Sequence, residues 1–161
     1  MSAIQAIWNY VHSIYTPPPR LTVTEWAERF RFLSKEYNAK GGKFRVSTAP
    51  YQAEPMESIN DDAVNSTTLM WGSQLGKTEL LMNVVGYFIH SEPAPMLVVQ
   101  PTIEMGESWS KERLAPTVRD TPVLREKVKD SKSRDSGNTI LNKRFPGGNI
   151  AIAGANSPAE T

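Results

Sequence analysis

The sequence predicts an α/β fold, a parallel sheet with flanking helices, and three observations carry that expectation. A β-branched and apolar run, Thr67, Thr68, Leu69, Met70 and Trp71, leads through a glycine-bearing turn into a helical pattern. A second apolar run, Met96-Leu97-Val98-Val99-Gln100, is followed by another helical pattern. Strand, helix, strand, helix implies parallel strands joined by right-handed crossovers. Finally, residues 139–145 and 149–153 flank Pro146-Gly147-Gly148, a turn sequence that predicts a C-terminal β-hairpin. At 161 residues the chain is long enough for one domain with a real core.

The elements follow in order. Ile4, Ile7, Trp8, Val11, Ile14 and Tyr15 recur at spacings of three and four, which gives an N-terminal amphipathic helix with almost no charge on its other face. Pro17-Pro18-Pro19 end it and form a stiff spacer, so residues 1–19 either dock on a partner protein or pack back on the domain, residues 20–161. Thr22 and Glu25 can form a capping box, with Leu21 and Trp26 as its hydrophobic staple. That helix should run to about Leu33, with Trp26, Phe30 and Leu33 on its apolar face. Residues 38–50 are polar and glycine-bearing, with Lys40, Lys43 and Arg45, and read as a loop.

A strand over 67–71 then meets a helix whose Leu80, Leu81, Val84, Val85 and Phe88 share one face. The run at 96–100, with a proline on each side, reads as a fully buried strand. The next helix starts near Ile103, capped by Thr102, with Glu104 and Glu107 in its first turns and Pro116 limiting its length. Residues 124–134 carry Arg125, Lys127, Lys129, Lys132 and Arg134, diluted by Glu126, Asp130 and the adjoining Asp135, and read as a solvated connector in preference to a DNA-contacting edge.

Composition narrows the function. Lysine and arginine, 18, nearly balance aspartate and glutamate, 17, so any contact with nucleic acid must be local. Without cysteine, and with only His12 and His90, neither a disulfide framework nor a thiolate or histidine metal cluster is available, which suits an intracellular protein. No apolar run approaches the roughly 18 to 20 residues that span a bilayer, and the N-terminus lacks the pattern of a signal peptide.

The chemistry begins at Gly72-Ser73-Gln74-Leu75-Gly76-Lys77-Thr78. Strand, glycine turn and helix start is the layout of a phosphate-binding loop, where unpartnered N–H groups of a helix N-terminus hold phosphates. In that scheme Gly76 lets the backbone approach the phosphates, Lys77 neutralises charge between the β- and γ-phosphates, and the Thr78 hydroxyl ligates Mg²⁺. The usual pattern has a glycine five residues before Gly76. Trp71 stands there instead, with Gly72 one place late, so the loop is a variant.

These residues belong to a longer match. Thr24-Glu25-Trp26-Ala27-Glu28, Thr48-Ala49-Pro50-Tyr51-Gln52, Gln74-Leu75-Gly76-Lys77-Thr78-Glu79, Met96-Leu97-Val98-Val99-Gln100-Pro101-Thr102, Ser110-Lys111-Glu112-Arg113-Leu114, Ser133-Arg134-Asp135-Ser136-Gly137-Asn138-Thr139, Lys143-Arg144-Phe145-Pro146-Gly147-Gly148 and Gly154-Ala155-Asn156-Ser157-Pro158 all stand in it. Over most of residues 21–160 the chain resembles the N-terminal part of phage terminase large subunits of the lambda type, ATP-driven DNA-packaging motors. The resemblance implies an ATPase domain of the P-loop NTPase type, followed by a nuclease domain that cuts concatemeric DNA. It implies ATP and Mg²⁺ at Gly72 through Thr78, with Tyr51 and Gln52 as the adenine-recognising segment. An amide can accept from and donate to an adenine edge, and a tyrosine can lie against its face. Where related terminases carry an arginine in the loop, this chain has Ser73. The implied partners are the small terminase subunit, bound by the N-terminal helix, double-stranded DNA, and the portal of a procapsid, all in the host cytoplasm with no membrane involved.

A working P-loop ATPase also needs an apolar strand ending in an aspartate for Mg²⁺, usually with a glutamate to orient water. Nothing in the 161 residues has that form, and Asp61 and Asp62 follow no apolar strand. In the resembled family that strand begins shortly after Asn156-Ser157, so the expectation is an incomplete ATPase domain, as in a truncated protein or the product of a broken prophage gene, without turnover of its own. Two other readings stay open: a fragment of a superfamily 2 helicase or small P-loop kinase, and a non-enzymatic remnant that binds the small subunit.

Overall fold

In a computed structural model of the chain, residues 4–5, 7–8, 20–36, 41–128 and 138–156 are described. The Thr22 hydroxyl accepts the Glu25 N–H at 3.2 Å and the Glu25 carboxylate accepts the Thr22 N–H at 3.0 Å. This reciprocal pair satisfies two donors at the helix end and starts α1, Val23–Phe30, as the sequence predicts. The helix stops short of the expected Leu33. Arg31 turns to extended backbone, and Phe32–Leu33 forms β1, antiparallel to β2, Gly42–Lys43. The loop expected over 38–50 therefore contributes a strand and a 3-10 turn, Val46–Thr48.

A second 3-10 turn, Pro50–Gln52, leads into α2, Ala53–Glu57. The longest described helix, α3, is Lys77–His90. Its Leu80, Met82, Asn83, Val85, Gly86, Tyr87 and Ile89 are buried, which is more than one face, because α1 and α6 (Pro122–Arg125) both pack on it. Leu81, expected on the apolar side, is half exposed. Gly86 is where α1 comes nearest: a Cβ there would run into the Trp26 ring. Trp26 is fully buried, and its Nε1–H donates to His90 Nδ1 at 3.1 Å.

The main sheet has strand order β3-β5-β4. β3, Met96–Gln100, runs parallel to β5, Gly148–Gly154, in register from Met96 opposite Ile150 to Gln100 opposite Gly154. β4, Asn142–Phe145, is antiparallel to β5 and closes the predicted hairpin through Pro146 and Gly147. Gly147 takes φ +90°, a left-handed backbone that glycine adopts without a Cβ penalty. The parallel pair requires a long crossover. It runs through α4 (Ile103–Trp109), a π-helical turn (Ser110–Leu114), α5 (Ala115–Asp120) and α6. Thr102 caps α4 as predicted, its hydroxyl accepting the Met105 N–H at 3.3 Å.

Three expectations are corrected here. Pro116 does not end the helix, because its missing N–H falls just where the π turn hands over to α5, and the ladder has already been rearranged at Ala115 N–H to Ser110 O. Residues 67–71 form no strand: they are irregular, with Met70 91% exposed, and have no pairing partner among the described residues. β3 is not fully buried either. Met96 and Val98 face the core, while Leu97 and Val99 are 65% and 55% exposed.

Ile4, Gln5, Ile7 and Trp8 are helical and exposed. The rest of that helix, the three prolines, and residues 129–134 of the expected connector lie outside the described residues. In the described part of the connector, Leu124 and Val128 are buried, so it is not wholly solvated. Among the described residues no helix is long and apolar enough to cross a membrane.

Candidate functional site

Gly76 is the N-cap of α3 and adopts φ +77°, ψ 18°, a left-handed conformation with no side-chain cap. A Cβ at this position would meet Gln52 Nε2, the end of a side chain that could move aside, so it is the left-handed backbone that favours glycine here. The first rung of the helix joins Leu80 N–H to Gly76 O at 3.0 Å. The N–H groups of Lys77 and Thr78 precede that rung and are the orphan donors that make a helix N-terminus attract anions. Gln74, at φ +58°, supplies the other sharp bend of the loop. Lys77 Nζ closes the loop across its own carbonyls, donating to Trp71 O at 2.9 Å and to Gly72 O at 2.6 Å.

Tyr51 and Gln52 come to this loop from a distant part of the chain. Tyr51 Oη donates to Leu75 O at 3.3 Å, and Gln52 Nε2 approaches the same carbonyl at 3.5 Å. Tyr51 is 50% exposed, whereas Gln52 is buried with its Oε1 unpartnered. The tyrosine thus stands beside the loop and the glutamine lies under it. The Tyr51 and Trp71 rings meet edge to face, centroids 5.2 Å apart at 88°.

The other flank of α3 carries a group that local sequence signals do not reveal. Arg31, its side chain 1% exposed, donates through Nη2 to Glu79 Oε2 at 3.0 Å and to Thr117 Oγ1 at 3.1 Å, and through Nη1 to Phe32 O. Burial pushes the guanidinium pKa down while Glu79 and then Asp120 pull it up; a guanidinium remains charged throughout. These bonds tie the first turn of α3 to α1, β1 and α5. Glu79 and Thr117 lie 48 and 86 residues from Arg31 in sequence, and no motif spacing spans such gaps.

The structure therefore brings together Gly72, Ser73, Gln74, Leu75, Gly76, Lys77 and Thr78 with Tyr51 and Gln52. Asp61 and Asp62 are exposed, and Asp61 Oδ1 is engaged locally by the Ala63 N–H at 2.9 Å. Among the described residues no group of three acidic, histidine or cysteine side chains could hold a metal.

The sequence pattern of the phage terminase large subunit gpA, ATPase domain, matches residues 38–161. The chain belongs to this family. The terminase large subunit of Enterobacteria phage P21 is 31% identical over 147 residues, covering 91% of this chain and 22% of that protein. The terminase large subunit of Escherichia phage lambda is 28% identical over 138 residues, covering 86% of this chain and 21% of that protein. The terminase chain in hand thus spans about a fifth of the length of the curated relatives it matches. No solved structure matches it.

An ATPase-domain family implies a nucleotide and Mg²⁺, and the terminase loop fits both in kind. It offers a left-handed glycine, a lysine and a hydroxyl in the first helical turn, and a buried amide oxygen left unpartnered beneath. Mg²⁺ at such sites keeps several waters and leans on phosphate oxygens, so one protein hydroxyl is a sufficient local contribution.

Proposed function

We propose that this chain is the ATP-binding portion of a viral DNA-packaging motor. The observation that carries the reading is the Gly76-capped helix start, with Lys77 folded across the loop and Tyr51 and Gln52 directed at Leu75. In this reading the main chain of Gly72, Ser73, Gln74, Leu75 and Gly76 wraps the phosphates, and the N–H groups at the start of α3 donate to them. Lys77 exchanges its loop carbonyls for phosphate oxygens and offsets their charge. Thr78 holds Mg²⁺, which when bound neutralises charge on the terminal phosphates. Tyr51 takes the adenine, and Gln52 keeps the turn beneath it in place.

The whole-protein activity belongs to the same proposal: ATP hydrolysis that translocates double-stranded DNA into procapsids in the host cytoplasm, with cutting of concatemers by a nuclease domain. Residues 20–161 hold the nucleotide, and residues 1–19 dock the small terminase subunit. The Ile4, Ile7 and Trp8 side chains, all more than 60% exposed, support that docking role. The acids that position metal and water for in-line attack are not among these 161 residues, so the chain alone binds but does not turn over.

Titration with a fluorescent ATP analogue tests the reading. Binding should require Mg²⁺ and vanish in Lys77→Ala; equal binding by both proteins would refute the phosphate-loop assignment. Phosphate release above the Lys77→Ala control would show that an acid within the chain, Glu79, Asp61 or Asp62 first, supports attack.

A further inference from the structure

Trp71 occupies the place where a glycine-rich phosphate loop has its first glycine, and a phosphate contact gives an indole nothing to do. It is partly buried against the core, and its ring also meets Tyr51. The two rings are perpendicular, with centroids 5.2 Å apart. Perpendicular rings leave a right-angled corner, and a planar base fits such a corner with its face on one ring and its edge on the other.

Both residues are also tied to the loop by links that do not depend on Lys77. Tyr51 Oη donates to Leu75 O at 3.3 Å, and Trp71 precedes Gly72 directly in the chain. The aromatic corner is thereby fixed relative to the loop that would hold the phosphates. We propose that Trp71, together with Tyr51, is the stacking platform for the base of the bound nucleoside triphosphate, and so a residue that determines which ligands the loop accepts. The proposal rests on the ATP-binding reading above and deepens it. Because every base has a π-face, a platform of this kind distinguishes nucleotides from bare polyphosphate and does not itself choose between adenine and guanine.

Calorimetric titration of the 161-residue chain with Mg-ATP, Mg-GTP and Mg-tripolyphosphate separates the two ideas. Trp71→Ala should weaken ATP and GTP alike by about tenfold, in line with the loss of one base–aromatic stack. Tripolyphosphate affinity should stay within roughly twofold, since no base is present to stack. Trp71→Phe, which keeps a ring, should restore most of the nucleotide affinity and serves if the alanine variant folds poorly. The wild-type emission lost in Trp71→Phe should be quenched by ATP and not by tripolyphosphate. Equal losses for nucleotides and tripolyphosphate would make Trp71 a structural residue and overturn the platform, as would an unchanged ATP affinity in Trp71→Ala. Failure of wild type to bind tripolyphosphate would instead remove the phosphate loop, and the platform with it.

Discussion

At its first turn α3 is held by charge, through Glu79 on the buried Arg31 guanidinium. At its last turn the same helix is held by rings, with Trp26, Phe30 and His90 packed together and joined by one indole hydrogen bond. The difference follows from what each end faces. On the proposed reading the loop before α3 receives phosphates and must expose N–H groups and a lysine, so it cannot be buried under apolar side chains, and a directional ion pair on the first turn fixes position without covering it. The far end has no such task and is secured by the cheaper means of excluding water.

Breaking each end should therefore feel different. Trp26→Ala removes the largest fully buried side chain together with its hydrogen bond to His90, and should cost about 5 kcal/mol, the upper range for truncating a buried tryptophan. Denaturant unfolding measures that loss. Arg31→Met removes a buried guanidinium with its bonds to Glu79, Thr117 and Phe32 and should cost about 3 kcal/mol, with Arg31→Met/Glu79→Gln less harmed than the single variant, because the partly buried carboxylate would otherwise keep its charge without this counter-ion. A double variant no better than the single would mean that Thr117 and Phe32, not Glu79, are the partners that matter.

The aromatic end should also respond to pH. Burial, and secondarily Lys127, hold the His90 pKa below its ordinary 6.5, against a smaller opposing pull from Glu126. The folded ring binds a proton less readily than the unfolded one, so this contribution to stability is complete above about pH 6.5 and is lost as pH falls through the window below it. Protonation of Nδ1 would also displace the Trp26 donor. His90→Gln should flatten the slope between pH 7 and pH 5 in a melting series, where the wild type declines. The smallest effect belongs to the middle of the helix: Leu81→Lys, on its exposed side, should stay within about 0.5 kcal/mol of wild type in the same unfolding measurement.

The sequence made legible whatever is local. The Thr22–Glu25 box, the Thr102 cap, the run at 96–100 and the Pro146–Gly147 turn each contain their cause within a few residues, and each formed. Residues 67–71 have equally good strand composition but no partner, and a strand exists only through its partner's hydrogen bonds. Pro116 misled because the π turn that accommodates it has no sequence signal of its own. Within the candidate site, Gly76, Lys77 and Thr78 were readable from spacing. Tyr51 and Gln52 were reachable only through family resemblance, and Arg31 through neither, since burial of a charge is set by the packing of elements far apart in the chain.

The seat of the Trp26 ring on Gly86 has a mechanical consequence. A helix is a stiff rod, and Gly86 lies ten residues from Gly76, a span of about 15 Å at 1.5 Å per residue. The indole is thus the fulcrum of a lever whose other tip carries Lys77. A methyl group added at Gly86 has no room and must pry the rod away from α1. Even a tilt of a few degrees about that point would swing the lysine tip by on the order of 1 Å, a misplacement large enough to matter for positioning a reacting group. The aim of the loop is set, in this sense, by one absent carbon at the far side of the domain.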